Sequence, residues 1–270
     1  MARITADNGD PIDYREYGDP GGRPVVLLAG FTAPATSWRY QLPALANAGH
    51  RVLAVDLPGH GTTGALPPGF TMRSRAAAVR VLLEELDLRD AVLVGGSMGG
   101  NTIWAYATTF GTDRLGAAVV IDQTPKMLNS PDWAHGFYGY DRSNADTYFA
   151  EGVPSTGHGT PFWRRGMRLV RLLRTVRGGR RAFTPEELAL LDDHAKRDWR
   201  DTIAGTAVPV QFIAGAESEF WPATHAHAAA ALAPRGTAVV VARAGHGTNV
   251  EQPRAVNREL LRFLAGPAHS

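Results

Sequence analysis

Short apolar runs alternate with helix-like segments along most of this chain, and this alternation constrains its fold more than any other feature. Four early runs, at 24–30, 51–56, 91–94 and 115–121, are dominated by apolar residues, as central strands buried on both faces are. Strand–helix alternation predicts a mostly parallel sheet with right-handed crossovers. The sequence therefore predicts an α/β fold, with a mostly parallel central sheet flanked by helices.

The alternation stops after Asp122 and resumes near Val208. Between them, residues 123–205 carry aromatic residues, prolines, glycines and an arginine-rich helical segment, with no convincing strand pattern. This predicts a helical lid, or cap, inserted above one end of the sheet. We expect residues 1–122 and 206–270 to form one core and residues 123–205 to form the lid.

The composition excludes several classes of protein. The 270-residue chain has no cysteine, which excludes disulfides, thiol nucleophiles and cysteine-ligated metal sites. Its net charge of +2 is too small to indicate nucleic-acid binding. No apolar run approaches the roughly 18 residues of a membrane span, and the first residues lack the apolar core of a signal peptide. We expect a cytoplasmic protein with no metal or other cofactor; its oligomeric state stays open.

One glycine-rich motif lies where a buried strand meets a helix. Gly95-Gly-Ser97-Met-Gly99 has the pattern G-x-S-x-G, directly after the run 91–94 and before a helical segment. In this context the motif indicates a nucleophile elbow, a tight turn that presents a serine hydroxyl at the carboxyl end of the sheet. Ser97 is therefore the predicted nucleophile. The alternative is a glycine-rich turn in which Ser97 only caps the helix.

A serine hydroxyl needs a positioned base to act as a nucleophile at neutral pH. Among nine histidines, His246 lies in a Gly-His-Gly segment after the last predicted strand and before the last helix. This places it at the same end of the sheet as Ser97, and we predict that it is the base. His60 is expected to shape the loop beside the pocket, whereas His225 and His227 are expected to be solvated on a helix.

The order of these motifs resembles the α/β-hydrolase superfamily over almost the whole chain. The resemblance rests on Gly30, on Asp56-Leu-Pro-Gly-His-Gly61, on the elbow at Ser97, and on Gly245-His246 followed by Glu251-Gln-Pro253. It implies the α/β-hydrolase fold, with a serine, an acid and a histidine in that chain order and no cofactor. It says little about the substrate, because one fold hosts many chemistries.

The oxyanion of an acyl-transfer reaction needs two aimed backbone donors. The resemblance implies that one is the amide of Met98, the residue after the nucleophile, and that the other comes from the loop after Gly30. We expect the amide of Phe31 to be the second donor, and Phe31 also to form pocket wall. Similar members usually have His-Gly here, where this chain has Ala29-Gly30. Because the donors are backbone groups, we expect this departure to leave the oxyanion hole intact.

The acid that would orient the histidine is ambiguous in the sequence. In most similar members it is an aspartate in a Gly-x-x-Asp pattern after the next-to-last strand, but the matching position here is Ser218, flanked by Glu217 and Glu219. Asp122 directly follows a strand adjacent to that of the nucleophile, and certain lipases and lactone hydrolases resemble this arrangement. We favour Asp122, with Glu219 or Glu217 as the alternative acid and a chain without a functional acid as the third option.

Aromatic residues of the insertion indicate an apolar pocket beneath the lid. We expect some of them to contact a hydrophobic small-molecule substrate and the others to form the lid's own small core. The predicted pocket residues, together with Gly30, are Trp133, Phe137, Tyr138, Phe162 and Trp163.

The arginine-rich segment of the insertion has an amphipathic helical pattern. It predicts an apolar face packed on the protein and an arginine face in solvent. Attraction of anionic substrates or attachment to anionic lipid is the alternative. The arginines are Arg164, Arg168, Arg171 and Arg174, and the apolar residues are Leu169, Leu172, Leu173 and Val176.

Together these features predict a serine hydrolase that cleaves a carboxylic ester or lactone of a hydrophobic small molecule through an acyl-enzyme on Ser97. Two other classes stay open. The same scaffold can support C–C bond hydrolysis, perhydrolysis as in the cofactor-free haloperoxidase-like group, or a biosynthetic lyase or cyclase reaction. The chain can also be a non-enzymatic ligand receptor, although intact Ser97 and His246 argue against this.

Overall fold

A computed structural model describes residues 1–6, 8–175 and 182–266. Within these residues, eight strands form one sheet in the order β1-β2-β4-β3-β5-β6-β7-β8. The strands are β1 (Ala2–Thr5), β2 (Pro11–Gly18), β3 (Pro24–Leu28), β4 (Arg51–Asp56), β5 (Ala91–Gly96), β6 (Leu115–Ile121), β7 (Val210–Gly215) and β8 (Gly236–Val241).

Helices connect most of the strands. Those described are α1 (Leu42–Asn47), α2 (Met72–Glu85), α3 (Met98–Phe110), α4 (Met167–Thr175), α5 (Pro185–Ala195), α6 (Arg200–Ala204), α7 (His225–Leu232), α8 (Thr248–Glu251) and α9 (Pro253–Leu264). Two short 3-10 turns, Ala35–Trp38 and Phe162–Arg164, complete the set.

The central strands are apolar because both faces of the sheet are covered. Along β3, Val26 and Leu28 pack into the cluster that contains α2 and α3, whereas Val25 and Leu27 pack into the cluster that contains α1 and α9. The strands from β3 to β8 pair in parallel with one another, whereas β1 pairs antiparallel with β2, and β2 pairs antiparallel with β4. The predicted α/β fold, with a mostly parallel sheet flanked by helices, is confirmed.

The segment between β6 and β7 adds no strand to the sheet in its described part. It contributes α4, α5 and α6, and several of its aromatic side chains pack on one another, with Phe137 and Phe149 in edge contact at 5.1 Å between ring centroids. The division into core and lid at 123–205 stays a prediction.

In the part of the chain that the structure describes, no helix is both long enough and apolar enough to cross a membrane.

Candidate active site

Ser97 occupies the turn between β5 and α3. Its φ of 52° lies in the left-handed region, and its amide donates to the carbonyl of Ile121 at 2.9 Å. A Cβ at Gly99 would lie 2.2 Å from the carbonyl oxygen of Leu28, and one at Gly95 would lie 2.3 Å from the backbone of Gly99. Strand and helix approach so closely here that only glycine fits at these two positions. This is the geometry expected for an elbow that presents the serine hydroxyl.

His246 lies in the loop between β8 and α8, and its imidazole contacts a carboxylate. Its Nδ1 is 2.7 Å from Oδ2 of Asp122. Because an ionised carboxylate only accepts hydrogen bonds, Nδ1 carries the proton and Nε2 is left as the basic nitrogen. The ring also packs against Phe220 and Trp221, at 4.3 Å and 5.3 Å between centroids. The imidazole is therefore held in one tautomer and one orientation.

Asp122 directly follows β6 and is fully buried. Besides His246, its carboxylate accepts from the amide of Gly215 at 2.8 Å and the hydroxyl of Ser218 at 2.7 Å. Burial raises the pKa of the Asp122 carboxyl, but its interactions with the imidazoles of His225 and His246 outweigh this and lower the pKa to about 2. The carboxylate is therefore ionised at neutral pH and can stabilise a histidinium.

The two alternative acids have other partners. Glu219 accepts from the backbone amide of His246 at 2.7 Å and forms an ion pair with Arg165. Glu217 accepts from Arg168 at 2.8 Å. The structure therefore joins Asp122 to the imidazole and joins the two glutamates to arginines of the insertion.

The predicted oxyanion donors lie beside Ser97. Met98 is the first residue of α3, so its amide has no partner within the helix. Phe31 follows Gly30, where a Cβ would come within 2.9 Å of the Cβ of Ser97. Both Phe31 and Met98 line the same cavity as Ser97 and His246.

That cavity has a volume of about 380 Å³ and walls that are mainly apolar. Its size falls within the roughly 300–1,000 Å³ of small-molecule sites. Gly30, Phe31 and Phe137, which the sequence analysis proposed for the pocket, line this cavity.

Three of the predicted pocket aromatics do not line the cavity. Trp133 is buried within the insertion, where its indole N–H donates to a backbone carbonyl, and Tyr138 stacks on a histidine ring. Trp163 is 71% exposed, and the side chain of Phe162 lies outside what the structure describes. The insertion has to bury a core of its own, which takes up aromatics that the sequence pattern cannot distinguish from pocket residues.

Other cavity residues were not predicted. Phe220 and Trp221 lie in the loop after β7, and a position at the carboxyl end of a central strand is a signal that could have found them. Leu172, Phe149 and Phe183 come from the insertion. Nothing local in the sequence separates these three from ordinary core residues.

The prediction for His225 is wrong, since this residue is buried rather than solvated. Helix α7 places it with Nε2 3.7 Å from Oδ1 of Asp122 and its ring against Trp221. His227, on the other side of the same helix, is exposed as predicted.

The predicted solvent face of arginines is wrong for its central members. Arg168 pairs with Glu217 and with the fully buried Glu251, and Arg171 donates to the backbone carbonyl of Glu251 at 2.8 Å. Conversely, Leu173 is exposed, whereas Leu172 lines the cavity. A buried carboxylate needs a partner, and this requirement turns the arginines toward the core.

The remaining residues of the amphipathic pattern differ in their exposure to solvent. Arg164 and Arg174 are exposed, as expected, and Leu169 is half-buried. Val176 lies outside the described residues.

Across the described ranges, no group of three or more histidine, aspartate or glutamate side chains is arranged to hold a metal ion.

A profile of the alpha/beta hydrolase family matches residues 25–259. This match spans most of the chain, which therefore belongs to that family. The chain is a hydrolase-class enzyme by family, and the particular reaction has to be argued from its site.

Two relatives match the chain along nearly its whole length. It is 28% identical to a non-heme haloperoxidase from Rhodococcus erythropolis, over 98% of this chain and 99% of that protein. It is 24% identical to the bifunctional esterase/perhydrolase DCH from Acinetobacter calcoaceticus, again over 98% and 99%.

Solved structures show the same fold. A bromoperoxidase from Bacillus anthracis superposes with a TM-score of 0.77 at 26% identity, covering 97% of this chain and 99% of that one. A thermophilic esterase from Thermogutta terrifontis gives a TM-score of 0.78 at 24% identity over the full length of both chains. The second similarity supports the fold alone.

Proposed function

We propose that this protein is a serine hydrolase that cleaves a carboxylic ester or lactone of a hydrophobic small molecule. The observation that carries the proposal is the 2.7 Å contact between Asp122 and His246 at the cavity that also holds Ser97. A nucleophile, a base and an ionised acid in this relation are the parts of a catalytic triad.

The reaction follows from the roles of these groups. Nε2 of His246 takes the proton of Ser97 as Oγ attacks the substrate carbonyl, and Asp122 stabilises the resulting imidazolium. The amides of Phe31 and Met98 donate to the oxyanion. Collapse of the tetrahedral intermediate breaks the bond to the leaving alkoxide, which takes the proton from His246. Water, deprotonated by the same imidazole, then attacks the acyl-enzyme, releases the carboxylic acid and regenerates the serine.

The cavity supports an apolar substrate. Its wall combines Trp38, Met127 and Phe149 with side chains that surround the His246 imidazole. Each buried methylene of a ligand gains about 0.8 kcal/mol. A substrate with an apolar acyl or alcohol part is thus favoured over a sugar or a phosphate ester.

A panel of esters of increasing acyl length, together with simple lactones, tests this proposal. We expect kcat/KM to rise roughly threefold to fourfold per added methylene until the cavity is filled, which follows from the methylene increment. The matched variant Ser97→Ala should lose at least about 10³-fold in kcat/KM. Equal activity in Ser97→Ala, or a preference for charged substrates over apolar ones, would contradict the proposal.

Perhydrolysis is a second candidate, because two relatives are named a haloperoxidase and an esterase/perhydrolase. Here hydrogen peroxide replaces water: its oxygen attacks the acyl carbon, the bond to Ser97 breaks, and a peracid leaves while the serine regains its proton. Peracid formed from an ester and peroxide by the wild type, and not by Ser97→Ala, would support this reaction. If carboxylic acid were the sole product in the presence of peroxide, the enzyme would catalyse hydrolysis and not perhydrolysis.

A further inference from the structure

A buried arginine lies behind the predicted oxyanion loop. Arg75, on α2, is 0% exposed, and no carboxylate of the described residues offsets the effect of burial, which lowers its pKa to about 9. Its Nε donates to the hydroxyl of Thr102 at 2.8 Å, its Nη1 to Nε2 of His60 at 2.7 Å, and its Nη2 to the carbonyl of Ala29 at 3.2 Å. A buried cation without a counterion is costly in free energy. The hydrogen-bond partners of Arg75 therefore indicate what this residue does.

His60 extends this contact to a second backbone carbonyl. Its Nδ1 is 2.8 Å from the carbonyl oxygen of Ala33. Because a guanidinium has only donors, Nε2 of His60 must accept from Arg75, and Nδ1 must carry the proton that it donates to Ala33. Burial, and then the charge of Arg75, lower the pKa of His60 to about 3, so the imidazole stays neutral. The contact with Arg75 thereby selects a single tautomer.

The two carbonyls are the ends of the segment 29–33, which we call the oxyanion loop because it contains the amide of Phe31. Within it, the amide of Ala33 donates to the carbonyl of Gly30 at 3.1 Å. Thr32 has a φ of 52°, a strained conformation for a β-branched residue. Such strain persists only where the surroundings hold it in place. Arg75 holds one end of this loop directly and the other end through His60.

Arg75 also reaches the second predicted donor segment. The hydroxyl of Thr102, which accepts from Arg75, donates to the carbonyl of Met98 at 2.9 Å. Met98 opens α3 directly after Ser97. One arginine is thus linked to both backbone segments that would donate to the oxyanion.

We propose that Arg75 is a positioning residue of the oxyanion hole, acting through Ala29, His60 and Thr102 on both donor segments. Arg75 is not among the residues that line the cavity, so it acts through these contacts and not on the substrate. The proposal rests on the proposed function.

The test compares Arg75→Met with a control on the same helix. Val79, one turn further along α2, is equally buried but apolar, so Val79→Ala weakens packing without removing a hydrogen bond. We expect Arg75→Met to lower kcat roughly tenfold to a hundredfold with KM within about twofold, less than the roughly 10²–10³ of a lost oxyanion donor. Arg75→Lys should recover part of this loss, and Val79→Ala should keep the wild-type kcat.

Hydrogen exchange of the peptide 29–35 gives an independent measurement. Exchange should accelerate in Arg75→Met and not in Val79→Ala. If Arg75→Met does not fold, then Thr102→Val and His60→Gln, which each remove one link, are expected to lower kcat and accelerate exchange in the same way. An unchanged kcat in folded variants, or a change in KM alone, would overturn the proposal.

The proposed function and the positioning role of Arg75 can be tested separately. If the wild type turned over no ester, that would count against the hydrolase assignment, while the exchange rates would still report whether Arg75 holds the loop. Unchanged exchange in Arg75→Met would overturn the inference in that case also.

Discussion

The carboxylate of Asp122 reaches His246 from the end of β6, while Ser218, in the loop after β7, donates its hydroxyl to that same carboxylate. β6 and β7 are neighbours in the sheet, so an acid at the end of either strand can approach one imidazole. Ser218 stands at the position where the resemblance implies an aspartate, and its hydroxyl donates to the carboxylate of Asp122, the acid that we propose. A displaced acid is therefore compatible with an intact triad.

Replacing Asp122 by asparagine tests this assignment. Asp122→Asn keeps the shape of the side chain but lets the imidazole adopt the wrong tautomer, and such changes lower kcat by roughly 10⁴. Glu219→Gln is the matched control, because Glu219 accepts from the backbone amide of His246 and pairs with Arg165, whereas Asp122 accepts from the imidazole. It should lose less than about tenfold in kcat. Near-normal turnover in Asp122→Asn, with a large loss in Glu219→Gln, would show that the acid is Glu219.

Helix α4 is bound to the core by charge as well as by apolar packing. Arg168 on α4, and Arg165 two residues before the helix, both pair with Glu251, which is 0% exposed. Each also pairs with a glutamate of the loop after β7. Burial raises the pKa of the Glu251 carboxyl, and the arginines oppose this effect. The same helix places Leu172 in the cavity wall, so these ion pairs position one side of the pocket.

Neutralising Arg168 should loosen α4 without unfolding the core. Arg168→Gln removes two ion-pair contacts of a largely buried group, and we expect amide exchange in 167–175 to accelerate about tenfold or more, which corresponds to about 1.4 kcal/mol of local stability. Arg174→Gln, at an exposed position of the same helix, should leave exchange unchanged. Equal exchange rates in the two variants would mean that α4 is held by apolar contacts alone.

The elements that could be predicted from the sequence are those whose pattern is local. A continuous apolar run such as Val25–Leu28 indicates a buried strand, and G-x-S-x-G after such a run indicates the turn at Ser97. The orientation of α4 could not be predicted, because amphipathicity shows that a helix has two faces and not which face meets a buried acid. That acid, Glu251, lies far along the chain.

The position of the candidate site could also be predicted from the sequence. Ser97, Asp122 and His246 each follow a strand of a parallel sheet, and the carboxyl ends of such strands share one edge. The pocket wall was less predictable. Phe137 lines it and Trp133 does not, although both are aromatic residues of the same insertion, because the difference depends on how that insertion packs.

At the scale of the whole molecule, buried histidines make the fold sensitive to acid. His60 and His194 are both buried, and burial followed by the charge of Arg75 lowers the pKa of each to about 3. In the unfolded chain a histidine has a pKa of about 6.5. Between these values the unfolded state binds protons that the folded state does not bind. The contribution of these two histidines to folding stability is therefore complete above about pH 6.5 and is lost as the pH is lowered toward 3.

Urea unfolding at several pH values between 6 and 4.5 measures this effect. Each buried histidine contributes a slope approaching 1.4 kcal/mol per pH unit. We expect His194→Gln to reduce the slope by about that amount, whereas His227→Gln, at an exposed position of α7, should leave it unchanged. A free energy of unfolding that did not change over this range would contradict neutral, buried histidines.

The central claim is that Ser97 is an activated nucleophile, and reaction with a fluorophosphonate tests it most directly. This reagent phosphonylates a serine whose base and oxyanion hole are competent, so no knowledge of the substrate is needed. Intact-mass measurement should show a single adduct on the wild type and none on Ser97→Ala. A folded wild-type protein that stayed unmodified, or an adduct that persisted in Ser97→Ala, would contradict the account.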